Sequence, residues 1–340
     1  MAFYNREKEL EFLRHHLSIE PNSILMIYGP KSSGKSTLLQ KVVEELDLKK
    51  HAVNFIDLRR VLVYDFKGFL DVFFPKDAKE KFKDIIEGVT FNLGFFSLKA
   101  GDEALLSKNP FKVMEDKLIA ARKRGIYPVI ILDEIQELKH IYLNGQRHLI
   151  DELFNLFVGL TKVKHLAHII LASSDSYYIN QVYESAKLEQ TTEFLFIDYL
   201  DKLTVTNWLS KEQFSENEAV EGYKYLGGSP WEIIQFIEKG DRKQPLEKVC
   251  RALFIDKKVG TLKHFRNFQL KDPDLRTLFD RIIGKIVAHG FAEIEDFQND
   301  DLEQIVPILI QKDIWFYHVD KQQIVANNQT YWWAMKQLVS

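Results

Sequence analysis

Two stretches of the chain carry side chains suited to holding and cleaving a triphosphate. Residues 29–37 read GPKSSGKST. Gly29 and Gly34 let backbone N–H groups close around phosphate oxygens with no Cβ in the way, and a helix starting at the end of the stretch adds its partial positive charge. Pro30, Lys31, Ser32 and Ser33 fill the loop, with Lys31 expected to face solvent. Lys35 is placed to reach the β- and γ-phosphates and the Ser36 hydroxyl to ligate Mg2+, with Thr37 completing the nucleotide-binding set.

The second stretch, residues 127–138, reads YPVIILDEIQEL. Asp133 at the end of this apolar run is expected to hold Mg2+, directly or through water. Glu134 follows and would orient and polarise an attacking water. Adjacent acids at a strand end suit hydrolysis, because the nucleophile is then water and not a substrate hydroxyl. Lys35 and Glu134 are thus the catalytic candidates, and Ser36 and Asp133 the metal ligands. A third run, LAHIILASSDS, ends in Ser173, Ser174 and Asp175. Ser173 and Ser174 either sense the γ-phosphate or the attacking water, or cap the next helix; both roles stay open. Asp175 is expected to be the cap, and Asp57, at another strand end, a turn or cap residue.

These residues need a sheet to bring them together. Residues 23–28 are a short apolar run suited to a buried parallel strand, and Leu38, Leu39, Val42, Val43 and Leu46 form one face of the helix after the loop. Pro128 leads into Val129–Leu132, and further strands are expected at 51–58, 166–172 and 194–200. Strands alternating with helices imply an α/β fold with a parallel five-stranded sheet.

Composition sets outer limits. The chain has 340 residues, enough for two or three domains, with the hydrophobic and charged content of a globular protein, 46% and 28%. A net charge of −3 gives no overall electrostatic case for nucleic acid. One cysteine, Cys250, has no internal disulfide partner and suits a reducing compartment. MAFYNREKEL places charges where a secretory leader needs apolar residues, and no apolar run approaches the roughly 20 residues of a membrane span. A cytoplasmic protein with no membrane association is expected. The histidines show no metal-binding spacing.

Together the loop and the paired acids resemble the additional-strand, catalytic-glutamate (ASCE) class of P-loop NTPases. More narrowly, the chain is similar to the archaeal ATPase family of STAND NTPases, relatives of AAA+ proteins. FYNREKEL at residues 3–10 is similar to that family's N-terminal box, keeping Arg6, Glu7, Glu9 and Leu10 but carrying Asn5 where glycine is usual. In the family this box lies over the adenine, which implies base contacts near Tyr4, Asn5 and Arg6. YLGGSPWEI at residues 225–233 is similar to the family's GxP element, where Pro230 would begin a helix close to the nucleotide; the same residues also make a good turn and helix start. The resemblance implies ATP over GTP, in keeping with the lack of an N-K-x-D guanine-reading signature. Arg147 is considered as an arginine finger, with a helix-surface role preferred.

The expected organisation is an ATPase core at 1–200, a small helical lid with a basic connector at 201–270, and a winged-helix domain at 271–340. Between the second and third strands, KDAKEKFKDII reads as a charged helix and GVTFNLGFFSLKAG as a hairpin about Gly94. The basic stretch 242–271, with Lys257, Lys258 and Lys263, would meet nucleic-acid phosphates or an acidic partner. In the last domain, LRTLFDRIIGKIVAHG, EIEDFQND and LEQIVPILIQKD would be three helices, IWFYHVDKQQIVANN a two-stranded wing and QTYWWAMKQL a closing helix, with Trp332 and Trp333 as core anchors. Acids at 293, 295, 296, 300, 301 and 303 argue against groove binding by the third helix and for a protein-contact or autoinhibitory module. The expected function is a slow, Mg2+-dependent ATPase switch binding ATP and ADP. The alternatives are a DNA-dependent ATPase and a non-enzymatic scaffold locked on ADP.

Overall fold

The five apolar runs become five parallel strands. The computed structural model describes residues 5–74, 109–143, 145–185, 190–239, 248–249, 255, 259–260, 273–297 and 299–339. Tyr4, the charged helix and hairpin about Gly94, Cys250 and the lysines 257, 258 and 263 lie outside the described residues. Helix α1 (Glu7–Ser18) precedes strand β1 (Ile24–Tyr28), α2 (Lys35–Glu45) and β2 (His51–Asp57). Helices α3 (Phe66–Phe73) and α4 (Pro110–Arg122) lead to β3 (Tyr127–Asp133). A small hairpin, β4 (Tyr142–Leu143) and β5 (Arg147–His148), precedes α5 (Leu149–Val158), β6 (His168–Ser173), α6 (Ser176–Ser185) and β7 (Thr192–Phe196).

The strands stand in the order β2-β3-β6-β1-β7, each parallel to its neighbour. The strand ending in the serines therefore lies between the strand that feeds the loop and the strand that ends in Asp133. Because side chains alternate along a strand, the sheet buries both faces. Leu25, Ile27, Val53, Ile131 and Ile170 meet α1 and α2 on one side. Met26, Ile56, Leu132 and Leu171 meet Phe69, Met114, Leu153 and Phe157 on the other.

After β7, α7 (Lys202–Lys211), α8 (Glu216–Leu226) and α9 (Pro230–Lys239) form a unit around Val205, Leu209, Leu226, Ile233 and Phe236. Asp201 caps α7 by accepting from Thr204 N–H, and Ser215 with Glu218 closes a capping box on α8. The C-terminal unit comprises α10 (Pro273–His289), β8 (Phe291–Glu293), α11 (Asn299–Gln311), β9 (Trp315–His318), β10 (Gln323–Ala326) and α12 (Gln329–Val339). Its antiparallel sheet runs β8-β10-β9. EIEDFQND, expected as a helix, instead continues β8 into a single 3-10 turn at Ile294–Asp296. Its two large apolar residues, Ile294 and Phe297, are too few for an amphipathic face, and β8 gains ladder bonds to β10. Trp332 and Trp333, expected as core anchors, are half-buried and pack against the edges of two cores; Trp332 Nε1 donates to Ile286 O and Trp333 Nε1 to Lys224 O, tying α12 to α10 and α8.

The C-terminal unit folds back onto the parallel sheet. Phe316 enters the same core as Met26 and Leu171, its ring 5.9 Å from Phe196. Tyr317 N–H donates to Ser176 Oγ at 3.2 Å, and Tyr28 Oη donates to Asp320 Oδ2 at 2.7 Å. Among the described residues no helix is long and apolar enough to cross a membrane.

Candidate active site

Strand register assembles the site. Asp57 pairs with Asp133, and Tyr28, the last residue before the loop, pairs with Ser173. The ends of four strands thus meet at one edge, where the dipole of α2 also points. The loop turns through Gly34 at φ 99°, a left-handed conformation that glycine adopts without cost.

Lys35 is the first residue of α2 and is buried. Its Nζ donates to Gly29 O at 2.8 Å and Pro30 O at 3.0 Å, which holds the ammonium inside the loop. Burial pushes its pKa down to about 8, against the pull of Glu134 and Asp133. Ser36 Oγ donates to Asp133 Oδ2 at 2.5 Å, and Asp133 Oδ1 accepts from Glu134 N–H at 3.0 Å. Asp133 is fully buried, which raises its pKa to about 6 despite the Ser36 hydrogen bond. A buried carboxylate held by a hydroxyl and a backbone N–H, both neutral, fits a small divalent cation, so Ser36 and Asp133 are the residues that would hold Mg2+.

Glu134 leaves the strand with φ 59° and ψ 49°, an uncommon conformation for a residue with a Cβ and one that clusters at working sites. Its side chain is turned toward the serines. Oε2 accepts from Gln136 Nε2 at 2.5 Å, Ser174 Oγ at 3.0 Å and Arg59 Nη2 at 2.8 Å. Ser173 donates to Gln136 Oε1 at 2.6 Å and accepts from Asp175 N–H at 3.0 Å, so it both joins the acid's network and shapes the turn into α6. Asp175 caps that helix through Tyr178 N–H, and Asp57 holds a turn through Arg59 N–H, both as expected.

The N-terminal box braces the loop. Arg6 is buried; its Nη2 donates to Ser33 O at 2.8 Å and Asp198 O at 2.5 Å, and Nη1 pairs with Glu9 at 2.8 Å. Asn5 has φ 45°, which explains why this polar residue can stand where glycine is usual. Its amide donates to Thr204 Oγ1 at 2.5 Å and Asp201 Oδ2 at 3.1 Å, linking the box to α7.

Lys31 does not simply face solvent: its ammonium pairs with Asp313 of the C-terminal unit. Its carbonyl accepts from Tyr199 Oη at 2.9 Å, and the Tyr199 phenol also bonds Ser229. Pro230 begins α9. In the turn before it, Gly228 lies so close to the Leu200 backbone that a Cβ would fall 1.8 Å from Leu200 O. Arg147 sits in the β4–β5 hairpin, paired with Glu152 at 3.0 Å, and makes a surface contact.

Arg59, Gln136, Tyr199, Asp313 and Asp320 escaped the sequence analysis. Gln136 was findable, standing two residues beyond Glu134. The two C-terminal acids meet the loop only through tertiary docking.

The family described as "ATPase domain predominantly from Archaea" matches residues 3–236. Two uncharacterized ATP-binding proteins of Methanocaldococcus jannaschii are 37% and 34% identical to the chain; each match covers all of it, and 95% and 98% of the relatives. The Walker-type ATPase of Pyrococcus abyssi is 18% identical and has the same fold, with a TM-score of 0.64 over 98% of this chain and 96% of that one.

Proposed function

The chain belongs to the family of ATPase domains found predominantly in Archaea, and from that premise we propose that it is an ATP-driven switch. It binds Mg-ATP at the 29–37 loop and hydrolyses it slowly. The change from ATP to ADP alters how its C-terminal unit, a winged helix, is held against the loop. The helices at 202–239 act as the lid, moving with the Tyr199–Ser229 link to the loop carbonyl of Lys31.

One arrangement carries the proposal: the hydrolytic groups and the C-terminal contacts meet at the same sheet edge, around the 29–37 loop. Lys35, Ser36, Asp133 and Glu134 lie at one strand edge, while Asp313 and Asp320 grip Lys31 and Tyr28 at the same loop. Lys35 supplies charge to the phosphates. Mg2+, when bound by Ser36 and Asp133, neutralises phosphate charge. Glu134 aligns the water and takes its proton. With Oε2 already accepting from three donors, Glu134 is a restrained base, which suits a timer more than a rapid enzyme.

Two measurements test the switch: nucleotide content of the purified protein, and ADP release with and without DNA. The expected result is retained ADP, released slowly and at the same rate when DNA is present. ADP exchanging as fast as ATP, with no change in the C-terminal contacts between the two states, would remove the switch. Strong acceleration by DNA would favour the DNA-dependent ATPase instead.

A further inference from the structure

Arg59 makes a contact that alignment of water by Glu134 does not require. Glu134 Oε2 already accepts from Gln136 and Ser174, yet Arg59 Nη2 stands 2.8 Å from the same oxygen and 3.4 Å from Ser174 Oγ. The backbone beneath Arg59 is fixed to the strand edge. Leu58 N–H donates to Asp133 O at 3.0 Å, and Arg59 N–H to Asp57 Oδ1 at 3.1 Å. The side chain is less constrained: 46% of it is exposed, whereas the Glu134 side chain that it covers is 7% exposed.

Charge says where the guanidinium is needed. Lys35 and Arg59 balance Asp133 and Glu134. ATP with one Mg2+ brings net negative charge, and cleavage spreads charge over the γ-phosphate oxygens. A polar cleft of about 320 Å3 opens beside Glu134; its charged lining is the cations Lys31, Arg59 and Lys139 and the acids Glu137, Asp175 and Asp313. Lys31 is held by Asp313, and Lys139 Nζ lies 5.4 Å over the Tyr178 ring. Of these cations, Arg59 is the one paired with the catalytic acid.

We propose that Arg59 is a catalytic arginine supplied by this chain itself. It rests on Glu134 in the structure and crosses to the γ-phosphate oxygens when Mg-ATP is in place. Its departure frees Glu134 to take a proton, so one movement arms both groups. The water oxygen bonds to the γ-phosphorus as the bond from phosphorus to the β,γ-bridging oxygen breaks. The bridging oxygen leaves on ADP, the water's proton passes to Glu134 and then to the released phosphate, and Arg59 makes and breaks no covalent bond. A planar guanidinium suits this task better than an ammonium because it can donate two parallel hydrogen bonds to phosphate.

The proposal rests on the ATP-hydrolysis reading, and the test separates the two. Arg59→Ala and Arg59→Lys are compared with wild type in three readouts: affinity for fluorescent ATP, steady-state turnover, and trapping of ADP with aluminium fluoride. Arg59→Ala is expected to keep ATP affinity within about threefold and lose turnover by at least about 100-fold. It should fail to trap ADP–aluminium fluoride and regain part of its turnover with added guanidinium, while Arg59→Lys falls between it and wild type. Turnover of Arg59→Ala at or above the wild-type rate would mean that Arg59 only restrains Glu134, and the proposal is overturned. Loss of ATP affinity in both variants overturns it too, because Arg59 would then be a binding residue. A wild type with no Lys35-dependent turnover refutes ATP hydrolysis first, and Arg59's role with it.

Discussion

If the C-terminal unit is latched to the phosphate loop, removing the latch should release nucleotide. Two contacts define it, Lys31 with Asp313 and Tyr28 with Asp320. The first is an ion pair with its lysine 45% and its aspartate 28% exposed, so at most about 1 kcal/mol is expected from it. The second is a hydrogen bond from a buried phenol to a carboxylate, worth about 1.5–2 kcal/mol, since its loss leaves the phenol without that acceptor. The double variant Asp313→Ala/Asp320→Ala should therefore weaken docking by about 1.5–3 kcal/mol, or roughly 10- to 150-fold in the ratio of docked to undocked forms. Phe316 and the Tyr317–Ser176 hydrogen bond remain, so the unit stays folded and attached. The assay is stopped-flow release of fluorescent ADP, with Asp296→Ala as control, because Asp296 pairs with Lys285 inside the C-terminal unit. ADP release is expected to accelerate at least about tenfold in the double variant and to stay at the wild-type rate in the control. Unchanged release from a folded double variant would refute the latch.

Other predictions follow from single residues. Gly228→Ala forces a Cβ against Leu200 O, so melting temperature and ATP affinity should both fall; Gly284→Ala, on helix α10 with nothing within 4 Å, should stabilise by about 0.5–1 kcal/mol in urea unfolding. Ser36→Ala removes the hydroxyl beside Asp133 and should raise the Mg2+ needed for half-maximal turnover several-fold, as a magnesium titration would read. His168 is buried against His16, and burial lowers its pKa to about 3. The folded state thus binds fewer protons than the unfolded chain between pH 6.5 and 3, and stability falls as pH drops through that window. Between pH 6.5 and 5 this group's loss is about 1.6 kcal/mol, measurable by urea unfolding, and His168→Phe should reduce the slope, leaving the part that His16, also lowered by burial, contributes.

The parallel sheet and the four central residues of the site were legible in the sequence for a local reason. Each strand is a short apolar run, and Lys35, Ser36, Asp133 and Glu134 stand at run ends where a parallel sheet collects its ligands. The C-terminal helices were equally plain where an apolar stripe recurs, as at 273–289. EIEDFQND misled because charge density resembled a solvated helix, whereas ladder bonding to β10 decided the outcome. Arg59 was illegible because its position depends on the pairing of Asp57 with Asp133, which sequence spacing does not record. The left-handed turn at Glu134 was likewise hidden, since no glycine marks it.

Hydrolysis at Glu134 is the claim on which the switch depends. Phosphate release from saturating Mg-ATP by wild type and by Glu134→Gln, with bound nucleotide measured in the same samples, tests it most directly. Wild type should release phosphate steadily, and Glu134→Gln should hold ATP with wild-type affinity while releasing phosphate at least about 100-fold more slowly. Equal rates from the two proteins at equal occupancy would contradict it.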